Sequence, residues 1–364
     1  MDVSLEQQSL LGIIQDAGRA LSNKSTLPIL NGLLLDANKE TLTAYSTDLE
    51  ISIKSHTKAL VNKPGKTVVY GSLLVDLIKN LEQGKINLIL DQEKNRLVIK
   101  SNQSQFEINT LPVDDYPPFP ETEEGKSLKI TNKELSEALR QVAISISRDE
   151  TRPTLTGLYL NLEKEKTRVV ATDSYRLSVK EIKTTPKGSE GSLLMPRRAI
   201  EELYKTLRKE GGAKITFSDK QVAVESGPCV FISRLMGGAY PNFEQLLPQK
   251  HEVEVLIDKE DLLQATKRMA LVSPSTPVFL QIKGETLIVS NKSTDVGSGR
   301  EKIKIKKATK NVEVAFNSKY LIEGLGVIGD QEITLQLTDS FQPGLIRGTK
   351  TKDYLYLIMP VRLN

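Results

Sequence analysis

Val169-Val170-Ala171-Thr172-Asp173-Ser174-Tyr175-Arg176-Leu177 is a β-branched run that enters a polar turn and leaves it on Arg and Leu. Its Thr-Asp pair recurs. Thr47-Asp48 stands 125 residues earlier and Thr294-Asp295 stands 122 residues later. A turn repeated at that spacing makes the chain three copies of one unit, with this stretch in the middle copy. A shift of 125 residues carries Leu10 onto Leu135 and Ile14 onto Leu139. It also carries Thr26, Pro28, Leu30, Gly32, Leu33 and Leu35 onto Thr151, Pro153, Leu155, Gly157, Leu158 and Leu160. Further on, Phe106 lands on Phe231, and Tyr116-Pro117-x-Phe119 answers Tyr240-Pro241-x-Phe243. The third copy keeps Leu262-Leu263, Pro277 and Thr294-Asp295, and its Met359-Pro360-Val361 echoes Leu111-Pro112-Val113. A period of about 120 residues is too long for a solenoid unit, so each copy is expected to be a domain with its own core. The expected domains are 1–125, 126–250 and 251–364. Pro117–Gly125 and Leu247-Pro248-Gln249-Lys250 read as connectors.

Each copy holds two similar halves. Thr131 precedes a helix expected over Asn132–Ser147, where Leu135, Leu139, Val142 and Ile146 recur at helical spacing. Asp258 caps a helix expected over Lys259–Leu271. Second-half helices are expected over Ser72–Leu81, Arg197–Lys209 and Ser318–Leu325. Short alternating runs follow every helix, so each domain reads β-α-β-β-β twice. Six helices against about two dozen strands is an α+β class with antiparallel sheets.

Composition narrows the chemistry. Of 364 residues, 38% are hydrophobic and 26% charged, as in folded globular chains. No apolar run approaches ~18 residues, so no membrane span or membrane partner is expected. The lone Cys229 suits a reducing cytoplasm. Charge is uneven: 12 basic against 17 acidic residues in 1–125 (−5), 22 against 15 in 126–250 (+7), and 16 against 14 in 251–364 (+2). A basic middle third suggests a polyanionic partner. Catalytic machinery is sparse. His56 and His251 lack a second His or Cys at i+3 or i+4, and Cys229 has no His neighbour. Gly65-Lys66-Thr67 resembles the end of a phosphate-binding loop, but Leu60 stands where its first glycine belongs. The Thr-Asp pairs read as turn devices. No cofactor is expected.

What remains is binding. Arg197, Arg198, Lys205, Arg208 and Lys209 lie on one helix, Lys133, Arg140 and Arg148 on or just after another, and Lys267 and Arg268 on a third. Three helices of equivalent position carrying cations favour a common basic surface. With no base-reading motif beside it, that surface should touch phosphates without sequence preference.

At these residues the chain resembles the bacterial DNA polymerase III β subunit family, the sliding clamps. The carriers are Thr26-Leu27-Pro28-Ile29-Leu30, Thr47-Asp48-Leu49-Glu50, Ala171-Thr172-Asp173-x-x-Arg176-Leu177, Tyr240-Pro241 and Met359-Pro360-Val361-Arg362-Leu363. They span all three copies. The resemblance implies a clamp fold and a head-to-tail homodimer. Two three-domain chains would form a six-domain ring around double-stranded DNA, with helices lining the hole. It implies a processivity factor, not an enzyme. Its partners would be the replicative polymerase, the clamp loader and other proteins that dock by short peptides. The alternative, a metal-dependent nucleic-acid enzyme, would need a carboxylate cluster that the spacing does not offer.

By the same resemblance, the peptide cleft takes Thr172, Ser174, Tyr175, Arg176 and Leu177 from the opening stretch. Arg152 and Leu155 precede it, and Pro241 and Leu246 follow. The third domain would add Phe341, Pro343, Leu357, Met359, Pro360, Val361 and Arg362. Arg152, Thr172, Arg176 and Arg362 are expected to fix the peptide's polar groups. Lys24, Arg148, Arg197, Arg198, Lys205 and Lys267 would face DNA. Phe106 and Ile108 of one subunit would meet Leu271 and Val272 of the next. Two departures stand out: Ser174-Tyr175 occupies a place where the family often has Gly-His, and the chain runs one residue past the usual terminal Leu.

Overall fold

The computed structural model describes residues 1–22, 27–123, 125–184, 190–248, 250–274, 276–292 and 297–362. Lys24, the pair Thr294-Asp295 and the last two residues of the chain lie outside them. The β-α-β-β-β plan holds in all six halves, with every strand pairing antiparallel.

The helices are α1 (Gln7–Gly18), α2 (Gly71–Asn80), α3 (Asn132–Val142), α4 (Arg197–Thr206), α5 (Lys259–Val272) and α6 (Ser318–Val327). Two starts show why the sequence turns helical there. The Thr131 hydroxyl accepts from the Glu134 amide at 3.2 Å while the Glu134 carboxylate accepts from the Thr131 amide at 3.3 Å, a reciprocal cap. The Asp258 carboxylate accepts from the amides of Glu260 (2.9 Å) and Asp261 (3.2 Å). Two helices are shorter than expected. α3 stops at Val142 and tightens into a 3-10 turn over Ala143–Ser145, so Ile146 is buried from beyond the helix. α4 stops at Thr206, whose hydroxyl turns back to the Leu203 carbonyl at 2.8 Å.

The chain gathers into two compact units, the first from 1–136 and 198–235 and the second mainly from 137–185, 190–197 and 236–364. The middle copy is therefore shared. In the first unit an eight-strand run goes Lys126–Thr131, Gly212–Phe217, Gln221–Ser226, Cys229–Arg234, Ile51–Lys58, Thr41–Thr47, Gly32–Asn38, Gly65–Tyr70. In the second, the matching run goes Gly191–Pro196, Gly157–Leu162, Lys166–Thr172, Arg176–Lys183, Tyr354–Ile358, Gly344–Gly348, Glu332–Leu337, Val253–Asp258. Each run crosses from one sequence copy to the next at a single strand pair. These two seams are Cys229–Arg234 against Ile51–Lys58, and Tyr354–Ile358 against Arg176–Lys183.

Each unit also holds a half-sized sheet. In the first, Ser104–Leu111, Arg96–Ser101, Lys85–Asp91, Asp2–Glu6 and the short Leu60–Lys63 lie in order, paired to the long run at Val68↔Leu111 and Val69↔Thr110. In the second, Ser298–Lys304, Thr286–Lys292, Val278–Lys283 and Val312–Phe316 form a four-strand sheet. Among the described residues, 104–109 and 298–304 each bond a neighbouring strand on one side only. The cores lie between helices and sheets. Leu10, Ile14, Leu74 and Ile78 are fully buried in the first unit, and Leu262, Leu321 and Leu325 in the second. Burial of side chains of this size stabilises each unit by roughly 2 kcal/mol apiece.

Candidate functional site

The opening stretch builds the second seam. Lys166–Thr172 runs into a turn and returns as Arg176–Lys183. The turn is closed by its own side chains. The Thr172 hydroxyl accepts from the Ser174 amide (3.1 Å) and donates to the Arg176 carbonyl (2.7 Å). The Asp173 carboxylate accepts from the amides of Tyr175 (2.9 Å) and Arg176 (3.0 Å). Ser174 sits at φ +76°, a left-handed conformation uncommon for a residue with a Cβ.

The chain's last strand docks on this turn. Leu357 faces Leu177 across the seam, and the Met359 amide donates to the Tyr175 carbonyl at 2.8 Å. Pro360 bridges Phe316, and the Val361 amide donates to the Ala315 carbonyl at 2.8 Å. These bonds keep an apolar tail from fraying.

Two cavities flank the turn. The first, about 360 Å³, is lined by Thr172, Ser174, Arg176, Leu177, Leu246, Pro343, Leu357 and Met359, together with Gln245, Leu247, Pro248 and Gln342. Its floor is apolar: Leu177 and Leu357 are also buried members of a cluster with Val170 and Phe243. The second, about 450 Å³, is lined by Ile144, Ile146, Arg148, Asp149, Arg152, Asp173, Tyr175, Arg176, Arg197, Lys319, Tyr320 and Glu323, among others. The Tyr175 and Tyr320 rings stack there at 6.4 Å.

The expected cleft residues thus divide. Eight line the first cavity, while Arg152 and Tyr175 line the second and Arg176 touches both. Leu155 is buried in the 3-10 turn Pro153–Thr156, where its carbonyl accepts from the Ser147 amide at 2.9 Å. Pro241, Phe341, Val361 and Arg362 are exposed and Pro360 half-buried, outside either lining. Two of the expected polar contacts already have partners within the chain. Arg176 is 7% exposed, pairs with Asp173 at 3.0 Å and with Glu323, and lies 4.3 Å from the Tyr320 ring centroid. Thr172 spends its hydroxyl on the turn. Both groups line the smaller cavity while bonded within its own wall. Residues 245, 247, 248 and 342 were missed because Leu247-Pro248 reads as a linker. The apolar continuation from Leu246 was the available signal.

The basic residues also divide. In the first unit, Arg198 pairs with Asp48 and donates to the Leu21 carbonyl at 3.2 Å. Arg208 pairs with the buried Asp16. These two cations join the α4 segment to the first copy, so they are not simply a solvated phosphate-binding face. Lys205 is exposed and pairs with Glu202 at 2.9 Å. In the second unit Lys267 and Arg148 are exposed, and Arg148 and Arg197 line the larger cavity.

Of the expected subunit contacts, Leu271 is 82% exposed at the end of α5, with Val272 half-buried beside it. Phe106 is 38% exposed, but Ile108 is only 8% exposed and belongs to the first unit's core. The shared-face reading of Phe106 and Ile108 therefore holds for the alternation and not for exposure. His56 and His251 are exposed. Burial pushes the Cys229 thiol up to about 12, which keeps it protonated and unreactive. Among the described residues, no three His, Cys, Asp or Glu side chains gather as metal ligands would. No described helix is long and apolar enough to cross a membrane.

Comparison with known proteins follows the same three copies. The N-terminal, central and C-terminal domains of the DNA polymerase III beta subunit match residues 1–120, 129–242 and 244–362. The Beta sliding clamp of Bacillus subtilis is 28% identical over 377 residues, covering all of both chains. That of Synechocystis is 29% identical over 389 residues, again in full. Among solved structures, the Bacillus subtilis DNA polymerase sliding clamp superposes with a TM-score of 0.94 at 27% identity. The Pseudomonas aeruginosa sliding clamp bound to griselimycin superposes at 0.95 with 26% identity. Each of these comparisons covers 100% of both chains.

Proposed function

This chain belongs to the DNA polymerase III beta subunit family, and on that premise we propose how it works: it is a DNA sliding clamp, a non-enzymatic processivity factor that closes as a head-to-tail homodimer around duplex DNA. The observation that carries the ring is the pair of bare strand edges. Two seams are complete eight-strand runs, while 104–109 and 298–304 each end a half-sheet and, among the described residues, pair on one side only. Exposed edges invite pairing. Setting the first edge of one copy against the second edge of another would make a third seam like the other two. Two such contacts close a ring, because a heterologous interface closes when its rotation does.

Side chains at the edges support the match. Glu301 reaches Arg268 of α5 at 2.9 Å, so Arg300, Lys302 and Lys304 lie on the opposite face of their strand. Ile108 points into the core, which puts Glu107 on the outward face of its own strand. Leu271, largely exposed, and Phe106 would bury each other on the helix side.

The cavities beside the Thr172–Arg176 turn are read as the cleft where the replicative polymerase, the clamp loader and other partners dock by short peptides. The cytoplasm follows from that work. DNA would be held by many screened phosphate contacts, Arg148, Arg197, Lys205 and Lys267 among them, and retained by topology. A metal-dependent nuclease would need a carboxylate cluster that the described residues do not form.

The test uses two variants. Leu271→Ala with Val272→Ala should give monomers by sedimentation and lose retention on nicked circular DNA. Deleting the tail from Met359 onward should leave dimers that no longer bind polymerase-derived peptides. A double variant that stays dimeric at nanomolar concentration sinks the ring contact, and a folded tail deletion with undiminished peptide affinity sinks the cleft.

A further inference from the structure

The four-strand sheet of the second unit turns a basic face away from α5. Glu301 reaches Arg268 of α5 at 2.9 Å and Ile303 is buried in the core, so alternation puts Arg300, Lys302 and Lys304 on the other side of their strand. All three are exposed. The register carries that face inward. Lys304 stands opposite Thr286, which stands opposite Lys283, also exposed. Arg300 stands opposite Ser290, which stands opposite the half-buried Phe279. Among the described residues, none of Lys283, Arg300, Lys302 and Lys304 forms an ion pair. The sheet's own carboxylates are engaged or set aside: Glu301 holds Arg268, Glu313 accepts from Gln281 Nε2 at 2.7 Å, and Glu285 sits in the hairpin turn. The first unit's half-sheet differs. On its equivalent face Arg96 and Lys100 are accompanied by Asp2, Asp91 and Glu107, and Arg96 pairs with Glu107 at 2.9 Å. Charged side chains guard an edge strand from stray pairing. That role covers Arg300, Lys302 and Lys304 and leaves Lys283, two strands inward, unexplained.

We propose that this face binds an extended single strand of DNA, its phosphates tracking Arg300, Lys302 and Lys304 and its bases lying inward over the sheet toward Phe279. Alternate residues of a strand stand roughly 6.7 Å apart, which is close to the separation of successive phosphates in an extended single strand. Lys283 lies two strands across, at about 10 Å, within reach of the same backbone as it bends. The hydroxyls of Thr286 and Ser290 stand between the two sides as hydrogen-bonding groups. A row of cations beside an aromatic ring is what a single strand can use twice, through its phosphates and by stacking a base. An acidic peptide uses only the charge, and a duplex, with its phosphates on a curved surface, meets fewer of the four cations. No pocket encloses a base here, so binding should be weak, salt-sensitive and indifferent to sequence. The site lies on the opposite side of the sheet from α5, and the proposal holds whether or not the ring closes, since ring closure uses the strand edges and this face stays open.

Fluorescence anisotropy of a labelled oligothymidine across a salt series tests this. Four phosphate contacts predict a log–log salt slope of roughly −2.8. Lys283→Gln and Lys302→Gln replace exposed side chains that hold nothing in the fold, so both should fold as the native protein does. Each alone should flatten the slope by about 0.7, and together they should weaken oligothymidine binding about threefold to tenfold. Lys283→Gln is the decisive one of the two, because it lies off the edge strand and cannot act through subunit pairing; sedimentation of both variants confirms this. A slope unchanged in both variants overturns the proposal. So does Lys267→Gln, on the helix side of the sheet, moving the slope as far as Lys283→Gln does, which would place the single strand there. A polyglutamate peptide bound as tightly as the oligothymidine overturns the nucleic-acid assignment in favour of an acidic protein segment.

Discussion

The turns at the two seams are built alike and furnished differently. At Thr47–Ile51 the Thr47 hydroxyl accepts from the Leu49 amide (3.0 Å), and Asp48 accepts from the amides of Glu50 (3.0 Å) and Ile51 (2.7 Å). At Thr172–Arg176 each of these bonds has its counterpart. Leu49 and Ser174 share φ +76°. Even the incoming strand is caught the same way: the Arg234 amide donates to the Glu50 carbonyl at 3.0 Å, as that of Met359 does to Tyr175 at 2.8 Å. The side chains then diverge. Where the second turn offers Leu177 and Met359, the first has Ser52, hydrogen-bonded to Thr47 at 2.8 Å, and Arg234, 3.8 Å from Glu50. The same backbone device joins the strands at both seams, and only the second, with Leu177 and Met359, is lined by apolar side chains at the ~360 Å³ cavity.

The largest effect should come from removing the turn's aspartate. Asp173→Ala deletes the cap and strips the nearly buried Arg176 of one of its two partners, whose side chain is only 8% exposed. Loss of about 3 kcal/mol is expected in equilibrium urea unfolding. Asp48→Ala deletes the same cap, but its partner Arg198 is 51% exposed and can turn to water. Its cost should be about 1 to 2 kcal/mol. Equal losses would mean that the two turns are energetically the same and that the buried guanidinium adds nothing.

A smaller effect should follow from furnishing the second seam like the first. Met359→Arg places a cation at the mouth of the smaller cavity, over the Leu177–Leu357 floor. Peptide affinity should fall about tenfold to a hundredfold, roughly 1.4 to 2.8 kcal/mol. The strand should stay docked, since the bond to Tyr175 uses the Met359 backbone. Titration of a labelled peptide measures this, and sedimentation confirms the dimer. Undiminished affinity would place peptide anchorage elsewhere than beside Met359.

The sequence made the repeat, the class and the turns legible, because they rest on local signals: Thr-Asp pairs, capping residues and alternation. Asp258 and Thr131 cap helices as their spacing implies. What stayed hidden depends on which charges meet. Arg176 looked like a free hook, since nothing nearby in sequence reveals Glu323, 147 positions on. Arg198 and Arg208 looked like a solvated face, because Asp48 and Asp16 lie in another copy. Ile108 alternates with Phe106, yet alternation does not say how deeply a strand's face is covered. Leu247-Pro248 reads as a connector and turns out to line a cavity, since composition cannot tell a linker in water from one lying against a groove.

The smallest effect concerns the ionic half of the first seam. Asp16 is buried; its carboxylate pairs with Arg208 and accepts from the Ser55 hydroxyl at 3.1 Å, with Arg19 and Cys229 also near. Burial raises its pKa, and the pull of Arg208, Ser55 and Arg19 offsets this only in part, leaving it above its ordinary value of 3.8. The sign follows from linkage. Between the ordinary and the raised values the folded state binds a proton that the unfolded chain does not, so stability rises as pH falls through that window and is lost as pH rises out of it. Asp16→Asn should keep the Ser55 contact and remove that proton uptake. Arg208, 43% exposed, can be solvated on its own. At pH 7 the variant should therefore differ from the native protein by no more than about 1 kcal/mol. Lowering the pH toward 4 should then favour the native protein over the variant in urea midpoint, since only the native protein takes up the proton. A gap that stays constant with pH would show that Asp16 titrates as an ordinary carboxylate. The first seam would then be held by charge as firmly as the second is by Arg176.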